Sequence, residues 1–158
     1  MKHTLFAIPM ALLLATSAFA DQRIDHTVTI TATVPTDAFY VEPLGGNWMN
    51  DPQNMSYRPF DATFEPVRKQ LSMKSTTGAI QAKMLNLPAM TSGTDTIGLD
   101  VVIAGKKLNL TSQPVVLEAD AKNGAVVDFM VAAVKPTTGF KPGNYQGIVN
   151  MVFETPDP

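Results

Sequence analysis

Glycine and proline occur at short intervals along most of the chain, and this spacing most limits its fold. Ten glycines and twelve prolines are spread over 158 residues, and beyond residue 20 the longest stretch without either is residues 21–34. A proline inside a helix costs about 3 kcal/mol, so helices of ordinary length have little room. Beyond residue 20, the β-branched residues Thr and Val together make up 29 of 138 residues, which favours pleated strands. The sequence therefore predicts an all-β sandwich.

The first 20 residues have the pattern of a secretory signal peptide. Lys2 and His3 form a short basic start, an apolar run covers residues 5–15, and Ala18 and Ala20 are small residues at the positions preceding a cleavage site. We expect cleavage after Ala20. The apolar run is too short to span a bilayer as a helix.

The remaining 138 residues contain no cysteine and have 11 basic against 14 acidic side chains, a net charge of −3. This charge argues against a nucleic-acid binder held by a basic surface. The lack of cysteine excludes disulfides, cysteine–zinc sites and thiol catalysis. A small exported domain without disulfides must draw its stability from its core or from a partner.

Short apolar runs separated by turn residues predict the individual strands. Gly105 can supply the positive φ of a tight hairpin turn, whereas residues 45–66 have too little periodicity for a prediction. The predicted strands cover residues 38–44, 67–74, 80–87, 97–104, 107–110, 115–117, 125–134 and 145–154.

The clearest alternation lies near the N-terminus, in residues 24–34. Threonines occupy most of the odd positions, only His26 interrupts the apolar even positions, and Pro35 ends the run. One interpretation is the first strand of an ordinary sandwich, and another is an arm that inserts into the sheet of a second subunit. The apolar face consists of Ile24, Val28, Ile30, Ala32 and Val34.

The predicted C-terminal strand, residues 145–154, also has one strongly apolar face. That face carries Tyr145, Gly147, Val149, Met151 and Phe153. If no other strand of the chain covers it, this strand borders an apolar groove, and such a groove has to be filled.

Residues 25–35, 55–65, 67–87, 101–110 and 142–153 together resemble the major subunits of alternate chaperone–usher fimbriae, of the colonisation factor antigen and cable pilus type. The resemblance implies an all-β, incomplete immunoglobulin-like β-sandwich that is completed by donor-strand exchange. Residues 1–20 would be the signal peptide, residues 21–34 the donor strand and residues 35–158 the pilin domain, which lacks its last strand. The donor residues would be Ile24, Val28, Ile30, Ala32 and Val34, and the acceptor groove and chaperone-pairing strand would present Tyr145, Val149, Met151 and Phe153.

The resemblance also implies a function and partners. The chain would be the structural major subunit of an adhesive fimbria, exported through the periplasm to the surface of a Gram-negative bacterium. Its expected partners are neighbouring copies of itself, a periplasmic chaperone, an outer-membrane usher and a tip adhesin. The alternatives are a minor or tip pilin of the same system and a secreted, self-sufficient carbohydrate-binding β-sandwich.

No residue pattern predicts catalysis, a cofactor site or a metal site, so we expect a protein that is not an enzyme. His26 stands alone in the arm, and a lone histidine lacks the oriented partners that nucleophilic catalysis needs; its protonation is expected to weaken docking of the arm. The carboxylate pairs Asp95/Asp100 and Glu118/Asp120 fit no calcium loop and are interpreted as surface charge. For Trp48, packing over a sheet is favoured over stacking on a sugar.

Overall fold

The computed structural model describes residues 38–156, and nearly all of their regular secondary structure is β-strand. This confirms the all-β prediction. The elements are β1 (Phe39–Leu44), β2 (Tyr57–Arg58), β3 (Thr63–Phe64), β4 (Val67–Ser75), β5 (Ile80–Met84), β6 (Ala89–Ser92), β7 (Asp95–Ile103), β8 (Lys106–Lys107), β9 (Gln113–Val116), α1 (Glu118–Asn123), β10 (Ala125–Ala133), β11 (Gln146–Gly147) and β12 (Met151–Glu154).

The strands form two main sheets and a separate short hairpin. The large sheet has the order β1-β4-β10-β7-β6-β11, with β8 paired to β7, and the small sheet has the order β12-β5-β9. The hairpin consists of β2 and β3. Every described strand pair is antiparallel.

The two main sheets enclose one hydrophobic core. Strand alternation sends Leu71 and Met73 of β4 inward from the large sheet, and Ile80 and Ala82 of β5 inward from the small sheet, each without exposed surface. Further core side chains come from β7, β9 and β10, and Met151 and Phe153 of β12 pack against the cluster while remaining half-buried. The alternating runs in the sequence therefore identified the inner face of the sandwich.

The sandwich has two ends, which are named here by the residues that mark them. At the base end, the N–H of Thr76 donates to the carbonyl oxygen of Ala38 over 2.8 Å, and the hydroxyls of Ser75 and Thr155 lie 2.6 Å apart. At the opposite end, called the mouth end, Val67 begins β4 beside β10. The strand β12 therefore runs toward the base end.

The turn between β7 and β8 confirms the predicted hairpin. Ala104 and Gly105 both have positive φ, at 50° and 76°, the backbone that a two-residue hairpin turn requires. Beyond the turn, the N–H of Leu108 donates to the carbonyl oxygen of Val101 over 2.8 Å.

The C-terminal segment differs from its prediction, because the single strand expected over residues 145–154 is divided between the two sheets. β11 pairs with β6 in the large sheet, and β12 pairs with β5 in the small sheet. The crossing depends on Gly147, where a Cβ atom would lie 2.2 Å from the carbonyl oxygen of Ala89. Only glycine lets the two backbones approach so closely.

Several short elements lie where the sequence offered no clear period. Residues 45–66 contain a 3₁₀ turn at Trp48–Asn50 and the β2–β3 hairpin, and β6 and α1 were also not predicted. Among the described residues, no helix combines the length and the apolar character needed to cross a membrane.

Candidate functional site

The strand β12 lies at one edge of the small sheet, next to the chain's C-terminal end. β12 pairs with β5 on one side, and no strand within residues 38–156 pairs with its other side. Edge strands present unpaired backbone donors and acceptors and can pair with another chain.

The hydrogen bonds to β5 identify which backbone groups of β12 face the open side. The N–H of Leu85 donates to the carbonyl oxygen of Asn150 over 3.0 Å, in the same register that pairs Val152 with Lys83. Because hydrogen-bonded and non-hydrogen-bonded pairs alternate in an antiparallel ladder, even-numbered residues of β12 direct their backbone groups to β5. The N–H and C=O groups of Met151 and Phe153 therefore point toward the open edge.

A cavity of about 770 Å³, called the groove, adjoins this segment; its walls are largely apolar, and the loop of residues 50–54 adds polar side chains to its lining. One wall is formed by residues 143–149 and Met151, which approach and begin β12. The facing wall comes from the large sheet and consists of Val67, Met90, Leu99, Phe129 and Val131. The groove thus lies where the chain crosses from β11 in the large sheet to β12 in the small sheet.

Trp48 lies at the side of the groove and closes part of the core. Its side chain is only 8% exposed, its indole N–H donates to the carbonyl oxygen of Leu44 over 3.2 Å, and its ring centroid lies 5.2 Å from that of Phe129. Gln53 donates to the carbonyl oxygen of Trp48 over 2.9 Å and holds the following loop in place. The packing role predicted for Trp48 is confirmed.

The structure brings three of the four predicted groove residues to the groove. Tyr145, Val149 and Met151 line it, and the Tyr145 hydroxyl donates to the carbonyl oxygen of Lys141 over 3.1 Å. Phe153 lies further toward the base end, where its half-buried side chain packs against the core. The predicted donor residues and His26 lie outside the described residues, so their assignment stays a prediction.

Charged groups fix the end of β12 to β5. Lys83 Nζ lies 2.5 Å from Glu154 Oε1, and the Ser112 hydroxyl donates to Glu154 Oε2 over 3.3 Å. The pKa of Glu154 is lowered, mainly because Lys83 donates a hydrogen bond to its carboxylate. Partial desolvation raises the pKa, whereas the charge of Lys83 and the hydrogen bond from Ser112 lower it further. These bonds leave the opposite edge of β12 open.

Three of the four carboxylates considered from sequence pair with lysines at the surface, and the fourth, Asp120, is exposed. Asp95 lies 2.6 Å from Lys141 Nζ, and Asp100 lies 2.7 Å from Lys107 Nζ. Glu118 pairs with Lys122 in α1 over 2.7 Å. Within the described part of the chain, no three His, Cys, Asp or Glu side chains lie close enough together to hold a metal ion.

Sequence reasoning missed the facing wall of the groove. Val67, Leu99, Phe129 and Val131 were all recognisable as strand residues with an apolar side, but periodicity does not reveal which inward side chains lack a covering strand. That information comes from the strand order, which places β12 at an edge.

Comparison with known proteins gives one family and a structural relative. The family model of the CS1 type fimbrial major subunit matches residues 24–154. The fold is similar to the structure of the CooA pilin subunit from enterotoxigenic Escherichia coli, with a TM-score of 0.59 and 16% sequence identity over 72% of this chain and 86% of that chain. No curated protein matches the chain.

Proposed function

Because the chain belongs to the family of CS1 type fimbrial major subunits, we propose that its copies join head to tail by donor-strand exchange. In this proposal the arm, residues 24–34 of one subunit, enters the groove of the next. The chain then serves as the repeating structural subunit of a fimbria on the surface of a Gram-negative bacterium. Fimbrial subunits are structural proteins, and the proposal assigns no catalytic residue.

The open edge of β12 beside the apolar groove carries this proposal. An added strand would gain backbone hydrogen bonds from Met151 and Phe153 and would place alternate side chains in the groove. The arm has the matching pattern, since its even-numbered residues are mainly apolar and its odd-numbered residues are mainly threonine. Its apolar face would cover the groove while the threonines face solvent.

The arm is proposed to run antiparallel to β12. All described strand pairs in this domain are antiparallel, and antiparallel pairing is the more stable and the more common arrangement. Ile24 then lies toward the base end of the acceptor, and Val34 leaves the groove at the mouth end.

Burial of the arm would stabilise each joint substantially. Four large apolar side chains and Ala32 give a gross gain on the order of 10 kcal/mol, before the cost of ordering the arm is subtracted. This contribution offsets the absence of disulfides in a chain that has no cysteine. The contact uses different surfaces on the two partners, so it does not close on itself and it generates a filament.

The resemblance to chaperone–usher pilins adds three further partners to the proposal. Before assembly, the groove would be covered by a periplasmic chaperone, which delivers the subunit to an outer-membrane usher. A tip adhesin would terminate the filament. The signal peptide, residues 1–20, would direct export into the periplasm.

A pair of arm variants tests the proposal. Ile30→Asp places a charge on the face assigned to the groove, whereas Thr29→Asp places the same charge on the opposite face. We expect Ile30→Asp to abolish fimbriae and Thr29→Asp to retain them, as measured by electron microscopy and by oligomers that survive mild detergent. Equal assembly by both variants would contradict insertion of this face.

A further inference from the structure

The β2–β3 hairpin is an ordered projection at the mouth end of the domain. Tyr57 pairs with Phe64, and the N–H of Glu65 donates to the carbonyl oxygen of Ser56 over 2.8 Å, which extends the ladder. At the tip, Arg58 lies 2.9 Å from Asp61, and the Thr63 hydroxyl donates to Asp61 over 2.7 Å. The loop is therefore held in one shape by its own side chains.

Aromatic packing fixes the hairpin to the domain beside the groove. The ring of Phe64 lies 5.3 Å from that of Tyr57 and 4.8 Å from that of Phe140, with both pairs in edge-to-face orientation. Phe64 also lines the groove. Lys135, two residues beyond the end of β10, donates to the carbonyl oxygen of Asp61 over 3.5 Å, so the hairpin tip lies at the mouth end.

Phe60 sits on this tip with its side chain fully exposed. A single exposed apolar residue is common on protein surfaces and does not by itself indicate an interface. Its position is informative here because the tip stands beside the groove, at the end where the proposed arm leaves.

The length of the arm's connection limits where the neighbouring domain can lie. Only residues 35–37 separate Val34 from Ala38, so the two Cα atoms are at most about 14 Å apart. Phe60 lies in the turn between β2 and β3, whose tip also stands at the mouth end. The short connection therefore brings the base end of the donor domain to the mouth end of the acceptor, where the hairpin tip also stands.

We infer that Phe60 of the acceptor subunit packs against the base end of the donor subunit, forming a second contact besides the inserted arm. The inference rests on the proposed donor-strand exchange. The base end offers a compact surface for this contact: Thr76 and Pro156 are exposed, and Pro156 packs closely over Gly78. The Ser75–Thr155 hydroxyl pair holds the chain end against the β4–β5 connection. Contact between two ordered surfaces would restrict bending at each joint.

Site-specific photocrosslinking tests this contact in assembled fimbriae. Phe60 is replaced by p-benzoylphenylalanine, the fimbriae are irradiated, and the arm contacts are then dissociated by heating in detergent. We expect a covalent dimer whose crosslinked peptide contains Ala38, residues 76–78 or Pro156. The same probe at Leu110, which is 53% exposed and lies next to the small sheet, serves as the matched control and should give no dimer through these peptides.

The outcomes separate the two claims. Fimbriae that assemble normally but give no dimer, or a dimer through other peptides, would overturn the Phe60 contact and leave donor-strand exchange intact. Fimbriae that assemble after deletion of residues 24–34 would overturn donor-strand exchange itself, and the Phe60 inference with it. A Phe60→Ser variant should assemble to the same extent as the parent, with a visibly shorter persistence length in electron micrographs; unchanged stiffness would also count against the contact.

Discussion

The hydroxyl oxygens of Ser75 and Thr155 lie 2.6 Å apart and join the end of β4 to the residue that follows β12. Ser75 is fully buried, and its oxygen also accepts a hydrogen bond from the N–H of Gly78 over 3.3 Å. Thr77 adds a third hydroxyl, 3.1 Å from that of Thr155. This cluster holds β12 in the small sheet at the base end, so it determines where the open edge lies.

Ser75→Ala should lower the free energy of unfolding by about 1–2 kcal/mol, because Thr155 and Gly78 lose a buried partner. The measurement is urea unfolding of a self-complemented form, in which residues 35–158 are followed by a short glycine-rich linker and a copy of residues 24–34. Thr76→Ala is the control, since Thr76 is exposed and makes only a 3.4 Å side-chain bond. Equal unfolding midpoints for Ser75→Ala and the parent would show that the cluster does not stabilise the domain.

Gly147→Ala should destabilise the same form by about 1–3 kcal/mol, because the added Cβ atom collides with the backbone of Ala89 and separates β11 from β6. Gly98→Ala is a matched control in β7, where the added atom would meet Val134 at 3.8 Å, an ordinary contact distance. Urea unfolding of both variants measures the difference. Similar stability for the two would contradict the close approach at Gly147.

The sequence was sufficient to predict the long strands, because each shows its period over enough residues. Val67, Leu71 and Met73 identified the inner face of β4, and the valines of β10 correctly favoured a strand over a helix. The short elements could not be predicted, because they contain too few residues to show a hydrophobic period. α1 has acidic residues in its first turn and Gly124 after its end, but six residues are too few to show a helical period.

The candidate site was predictable only in part. Met151 and Val149 belong to an alternating run, so their common apolar face could be predicted from sequence. The division of that run between two sheets depends on the contact of Gly147 with Ala89, which are far apart in the chain. The facing wall, with Phe129 and Leu99, likewise depends on strand order rather than on local pattern.

Trp48→Ala should cost about 3–5 kcal/mol of unfolding free energy, because it leaves a cavity beside Phe129. Trp48→Phe is the control: it keeps an aromatic ring in the core and loses the bond to Leu44, so a cost of about 1 kcal/mol is expected. Urea unfolding of the self-complemented form measures both. Parent-like stability of Trp48→Ala would argue against a packing role and would return sugar stacking to consideration.

The ion pair between Lys83 and Glu154 should make stability depend on pH in the acid range. The hydrogen bond from Lys83 lowers the pKa of Glu154 in the folded domain below its ordinary value of 4.5. The ion pair therefore stabilises the folded domain fully at a pH above 4.5. This stabilisation is lost as the pH falls through the lower pKa of Glu154 in the folded domain. We expect the melting temperature to decrease less on acidification in the Glu154→Gln variant than in the parent, and by a similarly smaller amount in the Lys83→Met variant. Parallel pH profiles for the parent and both variants would contradict the assignment.

The central claim is that the open edge of β12 receives the arm, and backbone hydrogen exchange in the self-complemented form tests it most directly. Val152 pairs with Lys83, so its N–H is protected whether or not the arm is bound. The N–H groups of Met151 and Phe153 face the open edge and have no strand partner within residues 38–156. We predict that NMR will show Met151 and Phe153 exchanging as slowly as Val152, and that Ile30→Asp in the appended strand will release them. Fast exchange at both residues with the intact strand, while Val152 stays protected, would contradict the proposed pairing.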